Sequence, residues 1–126
     1  MKFITLFLIL TLQLNGQDQI KYFAKYESIA RSISKKYEFS NWHYVVEVGS
    51  CLSNNGKNKF AKINNHFQIK CLSIRCKKGH CTNFNGDTHK DFYRIFNNPI
   101  DSYDAYCAMN RSKLRNNVTK DRFTCN

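Results

Sequence analysis

The chain has 126 residues, a formal net charge of +11 and six cysteines. Because a separate domain usually needs about 100 residues, this length excludes more than one domain of ordinary size. With 42% hydrophobic and 14% aromatic residues, the chain has enough apolar surface for a modest core, which excludes wholesale disorder.

The N-terminal segment has the pattern of an export signal. Met1 and Lys2 precede an apolar run from Phe3 to Leu14, and polar residues follow from Asn15. A basic start and about 12 apolar residues are typical of a secretory signal peptide, whereas a membrane-spanning helix needs about 20. We therefore predict a signal peptide over residues 1–16, one domain over residues 17–126, a secreted or periplasmic location and no stable membrane insertion.

Two helices are predicted next. Apolar residues spaced by three and four between Ile20 and Ser34 indicate an amphipathic helix. The residues of this predicted apolar face are Ile20, Phe23, Ala24, Ile29, Ala30 and Ile33. Ser40 and Asn41 offer an N-cap for a second, largely apolar helix over Trp42–Val48, although its β-branched valines would also suit a strand.

The rest of the chain predicts a small β element followed by a last helix. Gly49–Lys59 has the composition of a loop or a frayed helix end, and His66–Cys71 alternates in polarity as a short strand does. A turn at Asn85-Gly86-Asp87 precedes an aromatic strand candidate over Phe92–Phe96. Asn98-Pro99 then opens a helix over Ile100–Met109. The pattern predicts an α+β fold that is mostly helical.

All six cysteines follow the predicted signal peptide, at Cys51, Cys71, Cys76, Cys81, Cys107 and Cys125. An even number in a small exported chain predicts up to three disulfides, whose pairing the sequence does not fix. A short Cys76–Cys81 loop and a Cys107–Cys125 bridge are candidate pairings. The competing interpretation is a zinc site at Cys76, His80 and Cys81. It lacks a second pair with ligand spacing, so we expect no metal and no cofactor.

Carboxylates are scarce, and Glu47 alone stands in a strongly apolar stretch. Because burial disfavours the charged form, such a position raises a carboxyl pKa, as a general acid requires. The alternative is an edge residue whose carboxylate faces water or a lysine. The basic residues are spread along the chain with aromatic residues between them, a pattern that could suggest nucleic-acid binding. For an exported protein we instead expect anionic surfaces as partners and no nucleic acid; a soluble surface without an electrostatic partner is the other possibility.

One stretch resembles a known family. Asn64–Cys71, which reads N-N-H-F-Q-I-K-C, is similar to the N-N-x-F-G-I-K signature of the glucosaminidase domain family of peptidoglycan hydrolases. Tyr93–Phe96 and Pro99–Tyr106 are similar to that family's F-R-x-Y segment and the helix after it. The resemblance is strongest over residues 37–106. It implies a small lysozyme-like, disulfide-braced domain directed at peptidoglycan or another cell-wall glycan.

The resemblance also implies roles for individual residues. Asn64, Asn65, His66 and Tyr93 would lie beside a substrate cleft, where the two Asn amides would hold backbone groups. From the sequence itself, Phe67 is expected in the core, because it alternates with Ile69. In the family, a Glu at the end of the second helix protonates the glycosidic oxygen of the N-acetylglucosaminyl bond, as glycoside hydrolysis requires.

This sequence departs from the family pattern at the acid. The alignment places Cys51 or Leu52 at the Glu position, and Gln68 replaces the signature's Gly. If the protein is a hydrolase, we expect Glu47 to be the acid, with Asp87 or Asp91 as the second carboxyl. The alternative is a non-catalytic, cationic protein that binds peptidoglycan or a protein partner.

Overall fold

The computed structural model describes residues 2–71, 79–84 and 91–116 of the chain. Their elements, in chain order, are α1 (Lys2–Tyr37), α2 (Trp42–Leu52), α3 (Lys59–Lys62), β1 (Lys70–Cys71), β2 (Cys81–Thr82), β3 (Phe92–Arg94), α4 (Pro99–Met109) and α5 (Arg111–Arg115). The fold is α+β and mostly helical, as the sequence pattern predicts. Helix α1 includes the segment predicted to be a signal peptide, which stays a prediction.

The buried face of α1 matches the predicted one at Ala30 and Ile33 and differs from it toward the N-terminal end of the helix, where Tyr22 and Tyr26 are buried. Its core positions are Tyr22, Tyr26, Ala30 and Ile33. The helical period was predicted correctly, but Ile20 is 69% exposed. The tyrosines are buried in place of Ile20 because the Tyr22 hydroxyl has hydrogen-bond partners inside the protein, and these offset the cost of burying it. Among the helices in the described ranges, none combines the length and apolarity that crossing a membrane requires.

Helix α2 is the central helix and packs on α1. Val45, Val46 and Val48 are buried on its inner face. The segment is therefore a helix and not a strand, and it continues through Leu52, beyond the predicted end at Val48. At Gly49, an added Cβ would lie 2.5 Å from the Tyr103 hydroxyl oxygen, so only glycine fits this close approach to α4.

The three strands form one antiparallel sheet in the order β1-β3-β2. Lys70 is opposite Tyr93 on one side of β3, and Cys81 is opposite Arg94 on the other. The paired segments are shorter than predicted. Gln68 has a φ of 52°, so the backbone before Lys70 turns instead of extending. Beyond Arg94 the chain leaves the sheet, and the Phe96 amide donates to the Ile63 carbonyl at 3.0 Å.

The cysteine pairing corrects both candidate bridges. Cys81 is bonded to Cys71, which joins the two edge strands, and not to Cys76. Cys107 is a free, buried thiol on α4, so the Cys107–Cys125 bridge is wrong. Cys51 is also disulfide-bonded. Cys76 and Cys125 lie outside the described residues.

The core forms where α1, α2 and α4 meet, with the sheet and α5 at its edges. Its members are Tyr22, Tyr26, Ala30, Ile33, Phe39, Val45, Val46, Val48, Phe67, Ile69, Phe96, Tyr103, Cys107 and Leu114. Phe67 is a core residue, as expected, and its ring stacks on Tyr106 at a centroid distance of 4.3 Å. Pro99 begins α4, and the Asn98 side chain accepts the Asp101 amide as its N-cap.

Candidate functional site

Glu47 lies on the outer face of α2, because this helix turns its valines inward. Its side chain is 53% exposed, and its carboxylate is 3.8 Å from His43 Nε2, one helical turn earlier. The prediction that Glu47 is an acid in an apolar cleft is therefore wrong, because its carboxyl is exposed to water. The carboxyl of Glu47 is hydrated and close to an exposed imidazole.

The C-terminal end of α2 is where the resemblance places a catalytic Glu. Cys51 is disulfide-bonded there, and Leu52 packs against the core. The Leu52 carbonyl accepts hydrogen bonds from the Asn58 side chain at 2.8 Å and the Gln68 side chain at 2.9 Å. Neither Cys51 nor Leu52 carries a carboxyl, so this end of the helix provides structural contacts and no proton donor.

Asp91 lies directly before β3 and is exposed. Its carboxylate is 3.5 Å from the Lys70 ammonium on the neighbouring strand β1. An exposed pair of this kind contributes between zero and about 1 kcal/mol to stability. The other predicted carboxyl partner, Asp87, lies outside the described residues.

Asn64 and Asn65 hold backbone groups between the helices and the sheet, as expected. Asn65 is fully buried; its amide nitrogen donates to the Ile69 and Arg94 carbonyls, each at 2.9 Å, and its carbonyl oxygen accepts the Ile69 amide. Asn64 has a φ of 60° and donates to the Phe96 carbonyl at 3.0 Å. Asn65 is therefore a structural residue, whereas Asn64 lies at the edge of a cleft.

Gln68 occupies the position of the signature's Gly. Its φ of 52° is in the left-handed region, which a residue with a Cβ adopts at a cost and glycine adopts freely. The side chain partly offsets this cost through the hydrogen bond from its amide nitrogen to the Leu52 carbonyl. The backbone here therefore has the conformation that a glycine would favour.

His66 is buried in a cluster of aromatic rings. Its Nδ1 is 2.6 Å from the Tyr22 hydroxyl, which is also 2.7 Å from the Tyr103 hydroxyl. The Tyr26 ring stacks on Tyr103 at 5.2 Å and meets the His66 ring edge-on at 5.1 Å. Residues from α1, α4 and the segment before β1 thus form one hydrogen-bonded group.

Burial controls the protonation of this group. Desolvation, assisted by the charge of Lys25, lowers the pKa of His66 from 6.5 to about 4. Desolvation also raises the pKa values of Tyr22, Tyr26 and Tyr103 above that of an exposed phenol. Near neutral pH the imidazole is therefore neutral and the phenols keep their protons.

A cleft of about 350 Å³ opens beside this group, between α1, the turn after α2 and the start of α4. His66, Tyr22 and Tyr26 contribute to its lining. The other lining residues are Asp18, Lys21, Lys25, Asn55, Gly56, Lys57, Ala61, Asn64 and Pro99. This volume is near the lower limit of ligand pockets. We call this feature the α1 cleft.

Tyr93 lies apart from the α1 cleft, on the sheet. Its ring contacts Phe60 at 4.8 Å and Phe84 at 5.8 Å. The Lys59 ammonium lies 4.8 Å from the centre of the Phe84 ring. Of the residues expected beside a cleft, the structure brings Asn64 and His66 together and places Tyr93 in a separate aromatic cluster.

No local signal in the sequence marks the tyrosines or the lysines of the α1 cleft as site residues. Tyr22 and Tyr26 are four residues apart, which on a helix places them on one face, and Lys21 and Lys25 repeat the same spacing. Nothing in the sequence indicated that this face would meet His66, 44 residues away. Within the described ranges, no group of His, Cys, Asp and Glu side chains has the arrangement of a metal site.

No protein-family model matches the chain, and no curated protein or solved structure matches it either.

Proposed function

We propose that the protein is a secreted, cationic protein that binds peptidoglycan or a related cell-wall glycan and does not cleave it. The observation that carries the proposal is the end of α2, where the resembling enzymes have their acid and this chain has the disulfide-bonded Cys51 and the packed Leu52. The one carboxyl on this helix, Glu47, is exposed on the opposite side from the buried valines.

The resemblance to glucosaminidases gains support from local geometry. Gln68 keeps a positive φ at the signature's Gly position, and Asn65 uses its whole amide group to join this segment to β3. Both features concern the backbone that would position a glycan-binding surface. They therefore favour a retained scaffold from which the catalytic carboxyl has been lost.

Cleavage would require more than the described residues provide. A conventional glycosidase needs two carboxyls about 5–9.5 Å apart, one of them protonated at working pH. The side chain of Glu47 is about half exposed, and the carboxylate of Asp91 is paired with the ammonium group of Lys70. Binding needs only polar groups and rings around a cleft, together with positive charge toward the anionic wall, and the net charge of +11 meets that need.

Co-sedimentation with insoluble peptidoglycan tests the proposal. We expect the purified protein to sediment with peptidoglycan and not with cellulose at about 0.15 M salt, and to sediment less at about 1 M salt, where charges are screened beyond about 3 Å. No reducing sugars should be released. Glu47→Gln should leave both results unchanged.

Two results would overturn the proposal. Failure to sediment at about 0.15 M salt would show that the wall is not the ligand. Release of reducing sugars that disappears in Glu47→Gln would show that the protein is a hydrolase, in which Glu47 is the acid despite its exposure.

A further inference from the structure

We propose that the α1 cleft binds a carboxylate group carried by a saccharide. Two exposed lysines of α1 and the buried His66 would hold the carboxylate, while the polar wall of the cleft would contact the sugar. That the carrier is a saccharide rests on the proposed function; the carboxylate follows from the charges and donors of the cleft itself.

The charges of the cleft favour an anion. Lys57 is paired with Asp18 at 2.6 Å, which neutralises one positive and one negative charge at the rim. Lys21 and Lys25 also line the cleft, and neither forms an ion pair within the part of the chain that the structure describes. The described lining residues therefore carry a net positive charge, which comes from the ammonium groups of Lys21 and Lys25.

His66 adds a donor that carries no charge of its own. Its Nδ1 is used by the Tyr22 hydroxyl, so Nε2 is the ring nitrogen left for a ligand. When Tyr103 donates to Tyr22 and Tyr22 donates to Nδ1, the imidazole proton is on Nε2. In this arrangement the Nε2–H of His66 and the ammonium groups of Lys21 and Lys25, all residues that line the cleft, form a donor set for a carboxylate, which accepts hydrogen bonds and donates none.

The wall of the cleft suits a small polar carrier. The Asn55-Gly56-Lys57 turn forms one side, and both Asn55 and Gly56 have positive φ values. A Cβ at Gly56 would lie 3.9 Å from His66 Cε1 and from ring carbons of Tyr22, so the backbone approaches the buried rings closely here. The backbone amides of this turn already donate to Ser50 and Ser53, so the turn would contact a sugar hydroxyl through its carbonyl oxygens, while the ring edges supply the apolar contact.

Calorimetric titration with glucuronate, glucose and acetate tests the inference. We expect saturable binding of glucuronate, no binding of glucose at the same concentrations, and weaker binding of acetate. Lys21→Gln and Lys25→Gln should each weaken glucuronate binding by about tenfold, since each removes one hydrogen bond to a charged group. Lys35→Gln, an exposed lysine of α1 outside the cleft, is the matched control and should bind as the unchanged protein does.

Each part of the inference has its own contradicting result. Equal affinity for glucose and glucuronate, absence of glucuronate binding, or unchanged binding by both cleft variants would overturn the carboxylate site. Acetate binding as tightly as glucuronate would overturn the saccharide carrier. Glucuronate binding without sedimentation on peptidoglycan would support this site and overturn the proposed function. Sedimentation on peptidoglycan without glucuronate binding would support the proposed function and overturn this site.

Discussion

The hydroxyl of Tyr22 lies 2.6 Å from Nδ1 of His66, although 44 residues separate them. This contact joins the first helix to the segment that precedes the sheet. Because Tyr103 lies 2.7 Å from the same hydroxyl, α4 is joined to them as well. One buried phenol therefore connects three distant parts of the chain through hydrogen bonds. The imidazole beside it is buried, which disfavours its charged form.

The first prediction concerns stability against pH. The pKa of His66 is about 4 in the folded protein against 6.5 ordinarily, so the unfolded chain takes up the proton more readily. The stabilisation is full above pH 6.5 and is lost as the pH falls toward 4. At about 1.4 kcal/mol per pKa unit, the loss is about 3 kcal/mol. Urea unfolding at pH 7.5 and pH 4 should show this extra loss in the unchanged protein and not in His66→Gln. Parallel losses in the two proteins would contradict it.

The second prediction concerns Gly49. An added Cβ would lie 2.5 Å from the Tyr103 hydroxyl and 2.9 Å from the Tyr22 hydroxyl. We expect Gly49→Ala to lower the free energy of unfolding by about 1–3 kcal/mol through overpacking, while Ser112→Ala on the exposed side of α5 stays within about 0.5 kcal/mol. Because phenylalanine lacks the hydroxyl, the cost should be smaller in a Tyr103→Phe background. An unchanged cost there would show that the strain arises elsewhere.

The third prediction compares two variants of one residue. Gln68→Gly and Gln68→Ala both lose the hydrogen bond to the Leu52 carbonyl, but only alanine keeps a Cβ at a φ of 52°. The left-handed conformation costs a residue with a Cβ about 1–2 kcal/mol. Part of the stability gained by the glycine variant is lost, because glycine gives the unfolded chain more conformational entropy. Chemical denaturation should therefore find the glycine variant more stable by about 1 kcal/mol, and equal stability would contradict the backbone conformation.

The fourth prediction concerns the buried amide of Asn65. Asn65→Ala leaves the Ile69 amide and the Arg94 carbonyl without this partner, whereas the Ile69 carbonyl keeps the Arg94 amide. Each unsatisfied buried group costs about 1–3 kcal/mol. We expect a loss of about 3 kcal/mol or more. Asn64→Ala, which removes one hydrogen bond at a partly exposed site, is the matched variant and should lose less. Thermal unfolding of the two variants measures the order, and a reversed order would contradict the assignment.

The fifth prediction concerns the free thiol. Cys107 is fully buried, and burial raises its pKa to about 12, so little reactive thiolate forms. Iodoacetamide at pH 8 should leave Cys107 unmodified in the folded protein and alkylate it in strong denaturant. Peptide mapping by mass spectrometry identifies the site. Rapid alkylation of Cys107 in the folded state, or its recovery in a disulfide-linked peptide, would contradict the structure.

Local sequence patterns determined the α+β class and the approximate positions of α2, β3 and α4. Each depends on signals within one segment: Ser40 and Asn41 precede the apolar run of α2, and Asn98-Pro99 marks the beginning of α4. The bridging role of Asn65 was also predicted, because short amides in turns commonly hold backbone groups.

Tertiary structure decided the features that depend on distant residues. The apolar run around Glu47 predicted burial, but only the packing of α1 on α2 fixed which side of the helix is inside. The pairing of Cys71 with Cys81 required the sheet order β1-β3-β2, which spacing along the chain does not contain. The α1 cleft exists because Tyr22 and His66 meet, and that contact is favourable only when both groups leave water together.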